Sequence, residues 1–138
     1  MGLEERRRIV NIRENHVPRF NAELRAAAGF ELPLEINMAS FPENKTVLDC
    51  YDYYFESYGP GLVPKVFKDI CKDNLGRDAV RDKLKKVVFE NTAKSAEDKG
   101  HKEVKLEQGV LYVRESFYGY SDLLFGEDDL RQAIEALL

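Results

Sequence analysis

Apolar residues recur every three or four positions over residues 4–28, and this spacing predicts an amphipathic helix. The apolar positions are Ile9, Ile12, Phe20, Leu24 and Ala27. Gly29 follows them and suits the end of the helix. Pro18 cannot donate a backbone hydrogen bond, so we expect a kink or a short break near His16. Asn15 would then cap a second helical piece that carries Pro18 in its first turn.

Strict alternation of apolar and polar residues replaces this pattern over residues 30–38, which predicts a half-buried strand. The apolar members are Phe30, Leu32, Leu34, Ile36 and Met38. Because Pro33 has no donor for a ladder, either the strand lies at a sheet edge or its pairing begins after Pro33.

Helical spacing returns over residues 47–58, where Tyr51 and Phe55 lie opposite acidic residues. The aromatic content leaves a strand as the alternative. Residues 59–61, Gly-Pro-Gly, then turn the chain.

Further helices are predicted over Leu62–Asn74, with Gly76 as the stop, and over Asp78–Lys86, where Asp82 and Lys86 form a pair. A strand follows over 87–92, and a last helix over Glu127–Leu137. The side chains expected to point inward are Val63, Phe67, Ile70, Cys71, Val80, Leu84, Leu130, Ile134 and either Leu137 or Leu138.

A hairpin gives the sharpest local prediction. With Gln108 and Gly109 as a two-residue turn, apolar residues meet on one face and opposite charges meet on the other. The register pairs Leu106 with Leu111, Val104 with Val113, Lys105 with Tyr112, and Glu103 with Arg114.

Together these elements predict an α+β fold. A small antiparallel sheet of about four strands, from roughly 32–38, 87–92, 103–107 and 110–117, includes the hairpin in the C-terminal half and packs against four to five helices. The length of 138 residues fits a single globular domain over 1–138. No apolar run approaches the roughly 18 residues of a membrane span. The first residues lack a signal-peptide pattern, so we expect a cytoplasmic protein that does not bind membranes.

Charge is distributed unevenly along the chain. The formal net charge is −4, but residues 1–29 carry +2, 30–60 carry −5, 61–90 carry +3 and 91–138 carry −4. A basic face could form for phosphates or an acidic partner. Its members would be Arg6, Arg7, Arg8, Lys83, Lys85 and Lys86. Acidic residues interleave with these groups and no aromatic RNA-binding signature accompanies them, which disfavours nucleic acid as a partner.

Recognisable catalytic and metal-binding motifs are absent from the sequence, so we expect no metal and no cofactor. Cys50 and Cys71 fall on or beside apolar stripes, as buried thiols do. His16 suits a helix cap or the rim of the core, and His101 suits an exposed loop.

Tyrosine and phenylalanine cluster over 51–58 and 112–125, and tryptophan is absent. Tyrosines beside acids are typical of protein contact surfaces. The predicted protein-binding residues are Tyr53, Tyr118, Tyr120, Asp49 and Asp52. We therefore expect a non-enzymatic interaction or accessory module that binds a protein partner or self-associates through an acidic, tyrosine-bearing surface. The alternative is a small-ligand binder or small enzyme with a cleft between helices and sheet, where His16 or Cys50 would act.

Overall fold

The computed structural model describes residues 2–41, 45, 48–49, 51, 55–95, 97–117 and 121–138. Its α-helices are α1 (Leu3–Asn11), α2 (Val17–Ala28), α3 (Leu62–Ile70), α4 (Asn74–Lys83) and α5 (Glu127–Glu135). A π-helical turn, Ile12–His16, joins α1 to α2, and short 3₁₀ turns span Met38–Ser40 and Ser121–Leu123. The strands are β1 (Leu34–Ile36), β2 (Lys86–Asn91), β3 (Glu103–Glu107) and β4 (Val110–Glu115). These elements confirm the α+β fold class.

The four strands form one mixed sheet in the order β1-β2-β4-β3. The predicted antiparallel arrangement holds for β3 and β4, whereas β1 with β2 and β2 with β4 are parallel. The difference arises because α3 and α4 return the chain to the starting end of the sheet between β1 and β2, which is the connection that parallel neighbours need.

The hairpin confirms all four predicted residue pairs. Gln108 and Gly109 both have positive φ, at 52° and 82°. These are the left-handed angles of the tight turn whose twist matches the flanking strands. The charge pair on the wet face also forms, since Arg114 Nη1 lies 2.6 Å from Glu103 Oε1.

The predicted interruption of the first helix is a π-turn rather than a break. Pro18 is the second residue of α2, and the wider turn before it relieves the clash of the proline ring with the preceding turn. The prediction for Asn15 is wrong, because α2 has no side-chain cap and Asn15 Nδ2 donates to Asn11 Oδ1 instead. Gly29 ends α2 in the left-handed conformation, as predicted.

The corner between α3 and α4 also differs from the prediction. Gly76 does not stop α3, because α3 ends at Ile70 and Gly76 already lies in the first turn of α4. Asp73 caps α4 by accepting a hydrogen bond from Gly76 N at 2.8 Å. Lys86 lies in β2, where its Nζ is 3.1 Å from Glu35 Oε2, so it does not form the predicted pair within a helix.

The helices cover one face of the sheet, and the side chains predicted to point inward are buried, apart from Leu137 and Leu138, which are half-buried against the core. β1 is an edge strand that begins after Pro33, so both alternatives predicted for this strand hold. Its free edge is closed by Asn21 of α2, whose Oδ1 accepts from Leu34 N and whose Nδ2 donates to Leu34 O, both at 2.8 Å. No helix in the described part of the chain combines the length and apolar character that crossing a membrane requires.

Candidate binding sites

Asp49 is the only member of the predicted tyrosine-bearing site within the described residues. Tyr53, Asp52, Tyr118 and Tyr120 lie outside them. The Asp49 carboxylate is exposed and contacts Lys45 Nζ at 2.7 Å and Arg8 Nη1 at 2.8 Å. Hydrogen bonds from Lys45 and Arg8 lower the pKa of Asp49.

Glu56 lies on the same acidic segment and also forms a salt bridge. Arg19 Nη2 lies 2.6 Å from Glu56 Oε1, and this hydrogen bond lowers the pKa of Glu56. The two described carboxylates of the segment therefore receive positive charge from α1 and α2. Less negative charge is left for a partner than the sequence count suggests.

A groove of about 680 Å³ runs between α2 and α3 and reaches the start of α4. Its lining comprises Glu23, Ala26, Ala27, Pro64, Lys65, Lys68, Cys71, Lys72 and Arg77. Small residues of α2 provide an apolar floor, and Lys65 and Lys68 of α3, with Lys72 just beyond it, provide a cationic rim. Lys65 and Lys68 form no salt bridge with any residue that the structure describes, and the charge of Lys65 acts on Glu56 from a greater distance. The groove therefore combines apolar surface with an excess of positive charge.

Cys71 lies in this groove and is buried, as predicted, while Cys50 is outside the described residues. Burial raises the pKa of the Cys71 thiol, which keeps the thiol protonated at neutral pH. Arg77 is held at the same place, donating to Cys71 O at 3.1 Å and to Asn74 Oδ1. Cys71 thus contributes apolar surface, and Arg77 fixes the end of α3.

The two histidines lie in separate environments. The His16 ring packs against Phe55, with ring centroids 4.5 Å apart, which confirms its place at the rim of the core. His101 is exposed, as predicted, and its Nε2 lies 3.4 Å from Glu103 Oε1. Neither histidine lines the groove that holds Cys71. Within the part of the chain that the structure covers, no three metal-ligating side chains cluster.

A second concavity, of about 530 Å³, lies near the carboxyl ends of β2 and β4, with Ser40, Glu90, His101, Glu103 and Arg114 among its lining residues. Arg114 is its central group, with Nε 2.9 Å from Glu90 Oε1 and Nη1 2.6 Å from Glu103 Oε1. The guanidinium also lies 4.7 Å from the Tyr112 ring centroid. The hydrogen bond from Arg114 lowers the pKa of Glu103. Because two carboxylates already neutralise Arg114, this concavity offers weak attraction to an anion.

Glu115, at the end of β4, is a fully buried carboxyl group. Its Oε2 accepts a hydrogen bond from Phe125 N at 3.2 Å, and its Oε1 has no hydrogen-bond partner among the described residues. Burial raises the pKa of Glu115 well above its ordinary value, against the opposing effects of the Phe125 N–H and the Lys102 charge.

We expect Glu115→Gln to change how stability depends on pH. From the unfolded-state value near pH 4.5 up to the raised pKa, the folded wild type keeps a proton that the unfolded chain loses. Its free energy of unfolding therefore falls as pH rises, by up to about 1.4 kcal/mol per pH unit. The glutamine variant has no such loss, so it gains on the wild type with rising pH. Urea unfolding across this pH range measures the difference, and a constant difference would contradict the assignment.

Sequence reasoning missed the groove between α2 and α3. The signals were present, since Lys65, Lys68 and Lys72 recur at three- and four-residue steps and adjacent alanines leave a small apolar surface near the end of α2. What the sequence does not show is that α2 lies against α3, because residues 29–61 separate the two helices.

The predicted basic face is partly used within the chain. Arg8 contacts Asp49, and Lys86 contacts Glu35.

No protein-family model, curated protein sequence or solved structure matches this chain at a significant level.

Proposed function

We propose that this protein is a non-enzymatic protein-binding module that accepts an acidic, amphipathic helical segment of a partner in the groove between α2 and α3. The observation that carries the proposal is the contrast between the two charged surfaces. Asp49 and Glu56 form salt bridges with arginine and lysine, while Lys65 and Lys68 form none with the described residues and lie beside an apolar floor.

The form of the groove favours a helix as the occupant. Lys65 and Lys68 are three residues apart on α3, which separates them by about 4.5 Å along the axis, and Lys72 follows just beyond the end of the helix. A partner helix with acids at matching intervals places carboxylates beside the lysines, and its apolar side covers Ala26 and Ala27. Burying that floor adds hydrophobic stabilisation, and the rim charges set orientation and partner choice.

Fluorescence anisotropy with a defined probe tests the proposal. The probe is a labelled synthetic peptide of about 16 residues, with leucines spaced i, i+3, i+4, i+7 and glutamates elsewhere. We expect the wild type to bind it at about 50 mM salt and less tightly at higher salt. Lys65→Glu/Lys68→Glu should weaken binding at least about tenfold, since two attractions become repulsions.

A matched control separates the groove from general electrostatics. Lys83→Glu/Lys85→Glu makes the same charge change on α4 and the loop that follows it, outside the groove, and should alter affinity less than about twofold. Equal losses in the two double variants would show that net charge alone attracts the probe. Failure of the wild type to bind would reject the groove as a site for acidic helices.

The acidic, tyrosine-bearing surface remains a second proposed contact. Tyr53→Ala/Tyr118→Ala, measured with the same probe, should keep the affinity of the wild type if the described lining of the groove alone binds the probe. Loss of binding to a protein partner in that variant, with the fold intact, would support the tyrosine surface instead. A small-ligand function stays a prediction, for which the concavity around Arg114 is the candidate place.

A further inference from the structure

Three large hydrophobic side chains are exposed in the described part of the chain: Leu3 at 55%, Val10 at 43% and Leu75 at 82%. Leu3 and Val10 lie on α1, and Leu75 lies at the start of α4. The two places carry opposite charge, which suggests that they fit each other in different copies of the chain.

The surface on α1 is a cationic apolar stripe. Leu3, Arg6, Arg7 and Val10 fall on one side of this helix, because residues three, four and seven apart share a helical face. Glu4 and Glu5 lie on the other side. No residue of α1 is buried, and Leu3, Arg6, Arg7 and Val10 are all exposed. The stripe is therefore open to a partner.

The surface around Leu75 is an acidic groove of about 390 Å³ between the start of α4 and the end of α5. Its apolar residues are Ile70, Leu75, Ala79 and Leu138, and its charged residues are Asp69, Lys72, Asp73 and Glu135. Behind the groove, Arg131 contacts Asp69 at 3.3 Å and Glu135 at 3.9 Å. Arg131 also contacts the exposed Asp128, and Lys72 Nζ lies 3.8 Å from Asp69 Oδ1, so four acids stand against two cations around the groove.

We propose that α1 of one copy docks in the acidic groove of a second copy, so that the protein self-associates head to tail. Leu3 and Val10 would cover the apolar floor beside Leu75, while Arg6 and Arg7 meet the acidic rim. Like charges disfavour docking the groove on its own two-fold image, because the acids would then face acids. A stripe and a groove in different places on one chain form a heterologous contact, which continues from copy to copy.

Sedimentation equilibrium tests the proposal with one variant for each half of the contact. Arg6→Glu/Arg7→Glu removes the stripe and leaves the groove, and Leu75→Lys/Glu135→Lys removes the groove and leaves the stripe. All four positions are exposed, so we expect both variants to fold. The wild-type average mass should rise with concentration from about 10 μM to 1 mM and pass that of a dimer, and each variant alone should stay monomeric.

Mixing the two variants gives the decisive result. Each supplies the half that the other lacks, so an equimolar mixture should associate at concentrations where neither variant does so alone. A monomeric wild type, a wild type that stops at the dimer, a variant that still associates alone, or a monomeric mixture would each overturn the proposal. Lys65→Glu/Lys68→Glu should still self-associate, which separates this contact from the groove between α2 and α3.

Discussion

Replacing Gly76 by alanine should lower the free energy of unfolding by about 3 kcal/mol. A Cβ atom at this position would lie 1.7 Å from the carbonyl oxygen of Ile70, which is backbone and cannot rotate away. Helix propensity alone favours alanine by about 1 kcal/mol at a helical position, so the sign of the effect identifies the close approach as its cause. Thermal unfolding should show a fall in Tm of roughly 12 °C.

Gly126→Ala is the matched control for this substitution. A Cβ atom at Gly126 meets nothing within 4 Å, and its φ of −76° suits any residue. Gly126 directly precedes α5, so changing it to alanine should lower the free energy of unfolding by less than about 1 kcal/mol. A gain in stability for Gly76→Ala, or equal losses at the two positions, would contradict the packing of α4 against the end of α3.

The corner between α3 and α4 shows what local sequence patterns can and cannot predict. The pattern places Val63, Phe67, Ile70 and Val80 correctly in the core, because burial of a helix follows its apolar spacing. It misjudges Gly76 because a glycine needed for a close approach resembles a glycine that ends a helix. The distinction depends on where α3 and α4 cross, which is a tertiary fact.

Sheet topology likewise has a part that local sequence predicts and a part that it does not. The hairpin register follows from neighbouring residues, since a two-residue turn fixes which side chains face each other. The parallel pairing of β2 with both β1 and β4 depends on connections of many residues and on which edge each strand joins. A strand shows the same alternation of apolar and polar residues whether its partner is parallel or antiparallel. The alternation therefore could not predict that the sheet is mixed.

Candidate sites were harder still to predict. Counting charges indicated an acidic recognition surface, but Asp49 is matched by Arg8, and Glu56 by Arg19. The residues of each pair are 37 or more positions apart in the sequence. The lysines that form no salt bridge with a described residue lie on α3 instead, where Lys65 and Lys68 are equally visible in the sequence. Surface charge becomes informative once its partners are known.

Asn91→Ala should lower the free energy of unfolding by about 3 kcal/mol, because one buried side chain satisfies four backbone groups. Asn91 Oδ1 accepts from Phe117 N at 3.0 Å and Ala93 N at 3.2 Å, and its Nδ2 donates to Ala93 O at 2.8 Å and Ser40 O at 3.1 Å.

Asn91→Asp sharpens this test, since it keeps the shape and the acceptor but replaces the two N–H donors with an oxygen that faces two carbonyl groups. We expect a loss at neutral pH at least as large as that of the alanine variant. Asn37→Ala removes a single hydrogen bond to Glu90 and should lower the free energy of unfolding by less than about 1.5 kcal/mol.

Amide hydrogen exchange should also become faster at Phe117, whose N–H loses its acceptor in Asn91→Ala. Phe117 lies within the aromatic segment 112–125 and directly precedes Tyr118 in the sequence. Asn91 therefore holds the backbone of that segment at Phe117, and an unchanged exchange rate at Phe117 would contradict this role.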